Sequence, residues 1–187
     1  MKLNTLLGLI TAVTLGFSAS IYANGRAPFT LTSNLRAGEP IPQDYYGNDF
    51  GCAEKSESPS LEWKNAPEKT KSFAITFYDQ DAPTGSGFWH YVLFDIPATV
   101  TRIEVGDLRN GKIPDGAIES LTDRGRPGFF GPCPPSGRKH TYRYTVHALN
   151  VEKLGLDAKA MPAIAGFNFW GHSLGQASFT ITAGPRK

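Results

Sequence analysis

The sequence predicts a mainly β fold, and three observations predict it. Gly 20 and Pro 14 among 187 residues impose many turns and leave little room for long helices. Segments that mix β-branched and aromatic residues recur along the whole chain, whereas helical patterns are few, short and late. With 40% hydrophobic and 12% aromatic residues, the chain is able to fill a core instead of staying disordered. An all-helical bundle is excluded.

The chain opens with Lys2, a twelve-residue apolar stretch over 6–17, and small and polar residues that end at Ala23. This is the layout of a secretory signal cleaved after Ala23, and twelve residues are too few for a bilayer, which takes about 20. Residues 24–187 are then expected to form a single periplasmic or secreted domain, since no linker, repeat or low-complexity segment divides them. No segment after the cleavage point is expected to span a membrane.

Strands are expected over 29–33, 61–63, 72–79, 89–96, 141–149 and 177–183. Helices are expected over 151–160, ended by Pro162, and over 168–178. Between the strands lie turn-rich stretches at 82–87 and 125–137, and backbone so constrained by Pro and Gly is a natural wall for a site. If the strand at 141 already runs at His140, the His140 imidazole and the Tyr142 phenol share one face about 7 Å apart. The alternative for that face is a core aromatic ladder with a satisfied histidine.

Both cysteines, Cys52 and Cys133, fall in the exported part, where an even count in an oxidising compartment reads as one disulfide. A free catalytic thiol is the competing reading, and it would stand open to oxidants there.

Charge and motifs exclude several functions. The formal net charge is +2 and no run of five or more like charges occurs, so the basic stripe that nucleic acid requires is missing. Gly171-His172-Ser173-Leu174-Gly175 fits the nucleophile elbow of serine hydrolases, but that architecture needs an acid and a histidine downstream. Fourteen residues follow Ser173 and none is Asp, Glu or His, so glycines that let a helix pack closely are the better account. His140 and His147 fall on opposite strand faces, and His90 and His172 lack paired spacing, so no metal is expected. Gly85-Ser86-Gly87 is too short for a nucleotide loop and leads into aromatics, so no cofactor is expected either.

What remains is Asp79-Gln80-Asp81-Ala82-Pro83, followed by Gly87-Phe88-Trp89-His90-Tyr91. Asp81 beside Pro reads as a turn former. Asp79 has a second use: with His90, His140 and Tyr142 as donors around a Pro/Gly loop, it is able to fix a histidine tautomer or receive an amine while the donors hold an anion.

At these residues the chain resembles the phosphatidylethanolamine-binding protein family, in its bacterial, Raf-kinase-inhibitor-like branch. The family's D-x-D-A-P, with an aromatic-x-H-aromatic shortly after, resembles Asp79 to Pro83 with Phe88 to Tyr91. Its G-P-x-P-P-x-G followed by H-x-Y resembles Gly131-Pro132-Cys133-Pro134-Pro135-Ser136-Gly137 with His140 and Tyr142. Phe50-Gly51-Cys52, Ser58-Pro59-Ser60-Leu61-Glu62-Trp63 and Ile113-Pro114-Asp115-Gly116-Ala117 agree as well. Gln80 stands where the family often has Pro, Phe88 where many members have Trp, and Thr141 where an Arg is common.

The resemblance implies a fold of antiparallel β-sheets with a few short peripheral α-helices. It also implies a small surface pocket for phosphate, acetate or a phospholipid's phosphoryl head group. In that pocket Asp79, His90, His140 and Tyr142 hold the ligand, and Phe88 and the loop around Pro132 form apolar walls. Binding is expected to tighten as pH falls through the histidine range. The functional expectation is an exported, non-enzymatic binding or regulatory protein. The alternative is an inhibitor that docks on a kinase or protease, and an extracytoplasmic hydrolase comes third.

Overall fold

Residue parity along the central strands builds the molecule in three layers. The computed structural model describes residues 27–186, and the expected signal segment 1–23 lies outside them. A three-stranded antiparallel sheet holds β1 (Thr30–Ser33), β2 (Leu61–Lys64) and β5 (Arg102–Ile103) in the order β1-β2-β5. A five-stranded antiparallel sheet follows the order β6-β4-β3-β7-β8, built from β3 (Ser72–Asp79), β4 (Phe88–Pro97), β6 (Ile118–Glu119), β7 (His140–Leu149) and β8 (Ser173–Ala183). The helix α1 (Pro162–His172) packs on β4 and β7. This is a mainly β fold of antiparallel sheets, as the sequence predicts.

Strand β3 lies at the centre of the larger sheet and is buried on both faces, which is why its run Phe73-Ala74-Ile75-Thr76-Phe77 does not alternate apolar with polar. Phe73, Ile75 and Phe77 point toward the small sheet, where they meet Leu61, Trp63 and Ile103. Phe77 stacks on Tyr144 with ring centroids 4.0 Å apart, and burying a side chain of that size stabilises by about 1.5–3 kcal/mol. On the opposite face Ala74, Val92 and Phe94 pack against Ala165 and Phe169 of α1.

The helices depart from the sequence expectation. Residues 151–160 are not helical: Gly155 is left-handed at φ +72°, the Asp157 carboxylate accepts the Lys159 N–H, and Asp95 accepts the Leu154 N–H. Local side-chain bonds to the backbone compete with a helix here, while Leu154 and Leu156 pack onto the second core. Pro162 starts a helix and does not end one, because its fixed φ and missing N–H suit the first helical turn. The helix expected over 168–178 stops at His172, and from Ser173 the chain pairs with β7 over that strand's full length. The close helix packing expected of the elbow glycines does not occur: a Cβ on Gly171 would meet open space, and Gly175 lies in this strand, where a Cβ would press on Pro67 at 3.1 Å. Strands β5 and β6, two residues each, carry no periodic signal and were not expected from the sequence.

Candidate functional site

Antiparallel pairing gathers the site at one end of the central sheet. Asp79 is the last residue of β3 and pairs with Phe88 at the start of β4 on one side and with Tyr142 near the start of β7 on the other. The two expected motifs therefore meet through register alone.

His90 reaches the same face by a bulge. Phe77 pairs with Tyr91 and Tyr78 with Trp89, which leaves His90 as an extra residue on β4. The His90 ring lies 5.3 Å from both the Phe77 and the Tyr142 rings, and Tyr91 and Phe77 share the same core. Two consecutive residues thus face one way, which is how a bulge re-aims a side chain.

Together these groups line a cavity of about 310 Å³, at the small end of the range for small-molecule sites. Asp79, Thr84, His90, His140 and Arg186 supply its polar groups, and Phe50, Phe88, Phe130, Pro83 and Pro135 its apolar walls. The His140 Nδ1–H donates to Asp79 Oδ2 at 2.8 Å, and Asp79 Oδ1 accepts the Asp81 N–H at 2.9 Å. The His90 Nδ1–H donates to the Phe130 carbonyl at 3.0 Å while its ring stacks on Phe130. Burial lowers the His90 pKa to about 3, with Arg124 adding to the effect, so this ring does not titrate between pH 5 and 8. The expected rise in affinity with falling pH therefore cannot come from protonation of the free His90 ring.

Tyr142 and Pro132 take places other than the cavity surface. Tyr142 is fully buried and, among the described residues, its hydroxyl makes no well-aligned hydrogen bond although it lies close to Asp79; burial first, and Asp79 second, push its pKa well up. Pro132 is buried behind the wall, where its carbonyl accepts the Gly47 N–H at 2.8 Å. Cys133 and Pro135 are the members of that loop that face the cavity. A Cβ on Gly131 would run into the Tyr45 carbonyl, so only glycine lets the loop come this close to 45–47.

Asp81 does more than form a turn: its Oδ2 accepts the Thr141 N–H at 2.6 Å and ties the end of β3 to β7. Gln80, in the place of the family's Pro, accepts a hydrogen bond from Arg143 at 3.3 Å.

Two lining residues escaped the sequence reading. Phe50, at φ +54°, places its ring edge-on against Phe88 and Phe130, and the Cys52–Cys133 disulfide holds its loop beside 131–137. Arg186 lines the rim, with Nε donating to the Pro134 carbonyl at 2.7 Å and Nη1 to the Gly51 carbonyl at 3.0 Å. The available signal for Arg186 was the turn pair Gly184-Pro185, which ends β8 and sends the next residue back over the sheet end. A neighbouring groove shares Pro83, Pro135 and His140 and adds Arg138, Lys139 and Asp81, so cations outnumber carboxylates at the mouth.

The elbow-like Ser173 is exposed and lies in a different groove, and His172 is bonded to Asn150. Among the described residues, no group of three or more His, Cys, Asp or Glu side chains is placed to hold a metal ion. No helix there is long and apolar enough to cross a membrane.

Comparison with known proteins bears on the family and the fold. The family model for phosphatidylethanolamine-binding protein matches residues 32–184. The chain is 42% identical over 176 residues to UPF0098 protein YbcL of Escherichia coli, covering 92% of this chain and 95% of that protein. It is also 42% identical over 152 residues to UPF0098 protein YbhB of the same organism, covering 80% of this chain and 96% of that protein. The crystal structure of E. coli YbcL, described as a new member of the mammalian PEBP family, superposes with a TM-score of 0.81, covering 84% of this chain and 98% of that chain.

Proposed function

This chain belongs to the phosphatidylethanolamine-binding protein family, in the bacterial branch of YbcL and YbhB, and from that premise we propose that it is an exported protein that binds small phosphate-containing anions or phosphoryl head groups without turning them over. The observation that carries the proposal is the convergence of His90, His140 and Arg186 on one cavity whose walls are aromatic and Pro-rich. Phosphoryl oxygens need donors and positive charge, and a partly dry cleft strengthens both. The apolar walls suit the carbon arm of an ester.

Binding without turnover is supported by how the nucleophiles are engaged. The Thr84 hydroxyl donates to the Gly87 carbonyl, and Cys133 is held in its disulfide. Export is supported by the same disulfide, which persists in oxidising compartments, together with the signal-like layout of 1–23.

The test is a titration with phosphate and phosphoethanolamine, followed by histidine side-chain NMR. Saturable shifts at His90 and His140, weakened by Arg186→Ala, are expected. Unperturbed signals at millimolar ligand would overturn the proposal.

A further inference from the structure

We propose that the step between α1 and the outer face of the larger sheet is a second binding groove, for a neutral saccharide, with Trp89 and Trp170 as its apolar contacts and His147, Ser173 and Gln176 as its hydrogen-bonding groups. None of these residues lines the anion cavity, so the inference stands apart from the anion-binding reading.

Strand register builds one wall of the groove. Ala74 and Thr76 share the face of β3 that turns away from the small sheet, because residues two apart point the same way. Pairing sets Thr145 beside Thr76 and Ser178 beside Thr145, and in the next row His147 beside Ala74 and Gln176 beside His147. The helix covers part of this face, where Ala165 and Phe169 pack on Ala74, Val92 and Phe94, and the Phe169 ring lies 5.2 Å from His147. Past the flank of the helix the sheet continues to the half-buried Trp89, whose ring lies 4.7 Å from Tyr78. Ala163, Gly166 and Trp170 recur every three or four positions and form the helical wall. A Cβ on Gly166 would meet open space, and the groove encloses about 790 Å³, within the range of small-molecule sites.

The chemistry of the walls selects the occupant. Among the described residues no Asp, Glu, Lys or Arg lines the groove. Arg143, on the same sheet face, lies outside it and is engaged by Gln80. Burial lowers the His147 pKa to about 4, so this ring is neutral at neutral pH. An anion or a cation would therefore leave water for a groove that offers it no opposite charge. A hydrocarbon chain fails for the opposite reason, since it would cover the imidazole, hydroxyl and amide of His147, Ser173 and Gln176 without giving them partners. A saccharide meets both requirements. Its C–H faces suit the indoles, and Trp170, 78% exposed, has a large apolar area to lose from water. Its hydroxyls donate and accept alike, which matches a neutral imidazole and an amide, each of which carries a donor and an acceptor.

Titration with cellotriose and with triacetylchitotriose, followed by the tryptophan indole N–H signals in NMR, tests this. Saturable shifts at Trp89 and Trp170 with at least one of the two sugars are expected, while Trp63, buried in the core against the small sheet, stays unmoved. Trp170→Ala removes an exposed ring and Gly166→Leu fills the groove from the helix, so neither disturbs the packed core, and each is expected to weaken sugar binding at least about tenfold. Phosphate shifts at His90 and His140 are expected to be the same in both variants as in the parent protein. Trigalacturonate, a sugar that carries a carboxylate on each ring, is expected to bind at least about tenfold more weakly than the neutral sugar. Absence of indole shifts with both neutral sugars at millimolar concentration, equal affinity for trigalacturonate, or binding that neither substitution weakens overturns the inference. Indole shifts produced by phosphatidylcholine vesicles and by neither sugar overturn it as well, and make the groove a lipid contact.

Discussion

Asp79 accepts the His140 Nδ1–H at 2.8 Å across 61 positions of sequence, with both residues buried. A buried donor left unpaired costs more than the bond itself contributes, so Asp79→Ala is expected to lose about 3 kcal/mol and Asp79→Asn, which keeps an acceptor, about 1 kcal/mol. Urea unfolding of the three proteins checks this. Equal losses would show that the hydrogen bond is not what stabilises the sheet end.

Stability should fall with acid well before the carboxylates titrate. Burial lowers the pKa of His147 to about 4 and that of His90 to about 3. In the unfolded chain histidine titrates near about 6.5, so below that value the unfolded state takes up protons that the folded state refuses. Above it both states are neutral and the effect vanishes. Between about pH 6.5 and 5 the loss approaches about 2 kcal/mol per ring, at about 1.36 kcal/mol per pH unit. Denaturation at the two pH values is expected to show the fall, and His147→Leu to flatten it. A protein equally stable at both would contradict this account.

Arg186 lines the cavity from the rim while two of its N–H groups are held by carbonyls. Among the described residues its charge is thus positioned without a carboxylate partner. Arg186→Ala is expected to weaken phosphate binding about tenfold and to reduce its dependence on salt. Titration at low and high ionic strength reads both effects.

The Cys52–Cys133 bond closes a loop of 81 positions. The loop-entropy model assigns such a closure about 4.5 kcal/mol as an upper figure. For a domain of this size, replacing both cysteines by serine is expected to lower Tm by about 10 °C. The same variant should weaken ligand binding, because the bond holds the Phe50 loop against 131–137. Unchanged melting would show that packing alone holds these loops.

Among the described residues the buried Tyr142 hydroxyl makes no well-aligned hydrogen bond, although Asp79 lies close to it. Deleting an unsatisfied buried group removes a desolvation cost, so Tyr142→Phe is expected to leave stability within about 0.5 kcal/mol or to raise it. Because the residue has no surface on the cavity, phosphate affinity should change less than about threefold. A large loss of affinity would place the hydroxyl in direct contact with ligand.

Much of this protein was legible in the residues because the relevant signals are local. The run 72–79 has the composition of a strand buried on both faces, and it is β3. The parity that sets His140 and Tyr142 on one face is a property of any extended chain, and their rings lie 6.3 Å apart. Turn residues marked the loop at 131–137 as a wall.

Other features were decided by tertiary contacts. The start of β8 has weak local preferences, and pairing with β7 overrides them. Phe50 and Arg186 reach the cavity only because a disulfide and the end of a long strand deliver them there. His90 shows the division most clearly. Strict alternation would place His90 and Tyr91 on opposite faces, and the bulge between the Phe77 and Tyr78 pairs puts both on one. The residue types that make the site's chemistry are written in the chain, but the register of three strands aims them, because a bulge exists only relative to the partner strand it fails to match.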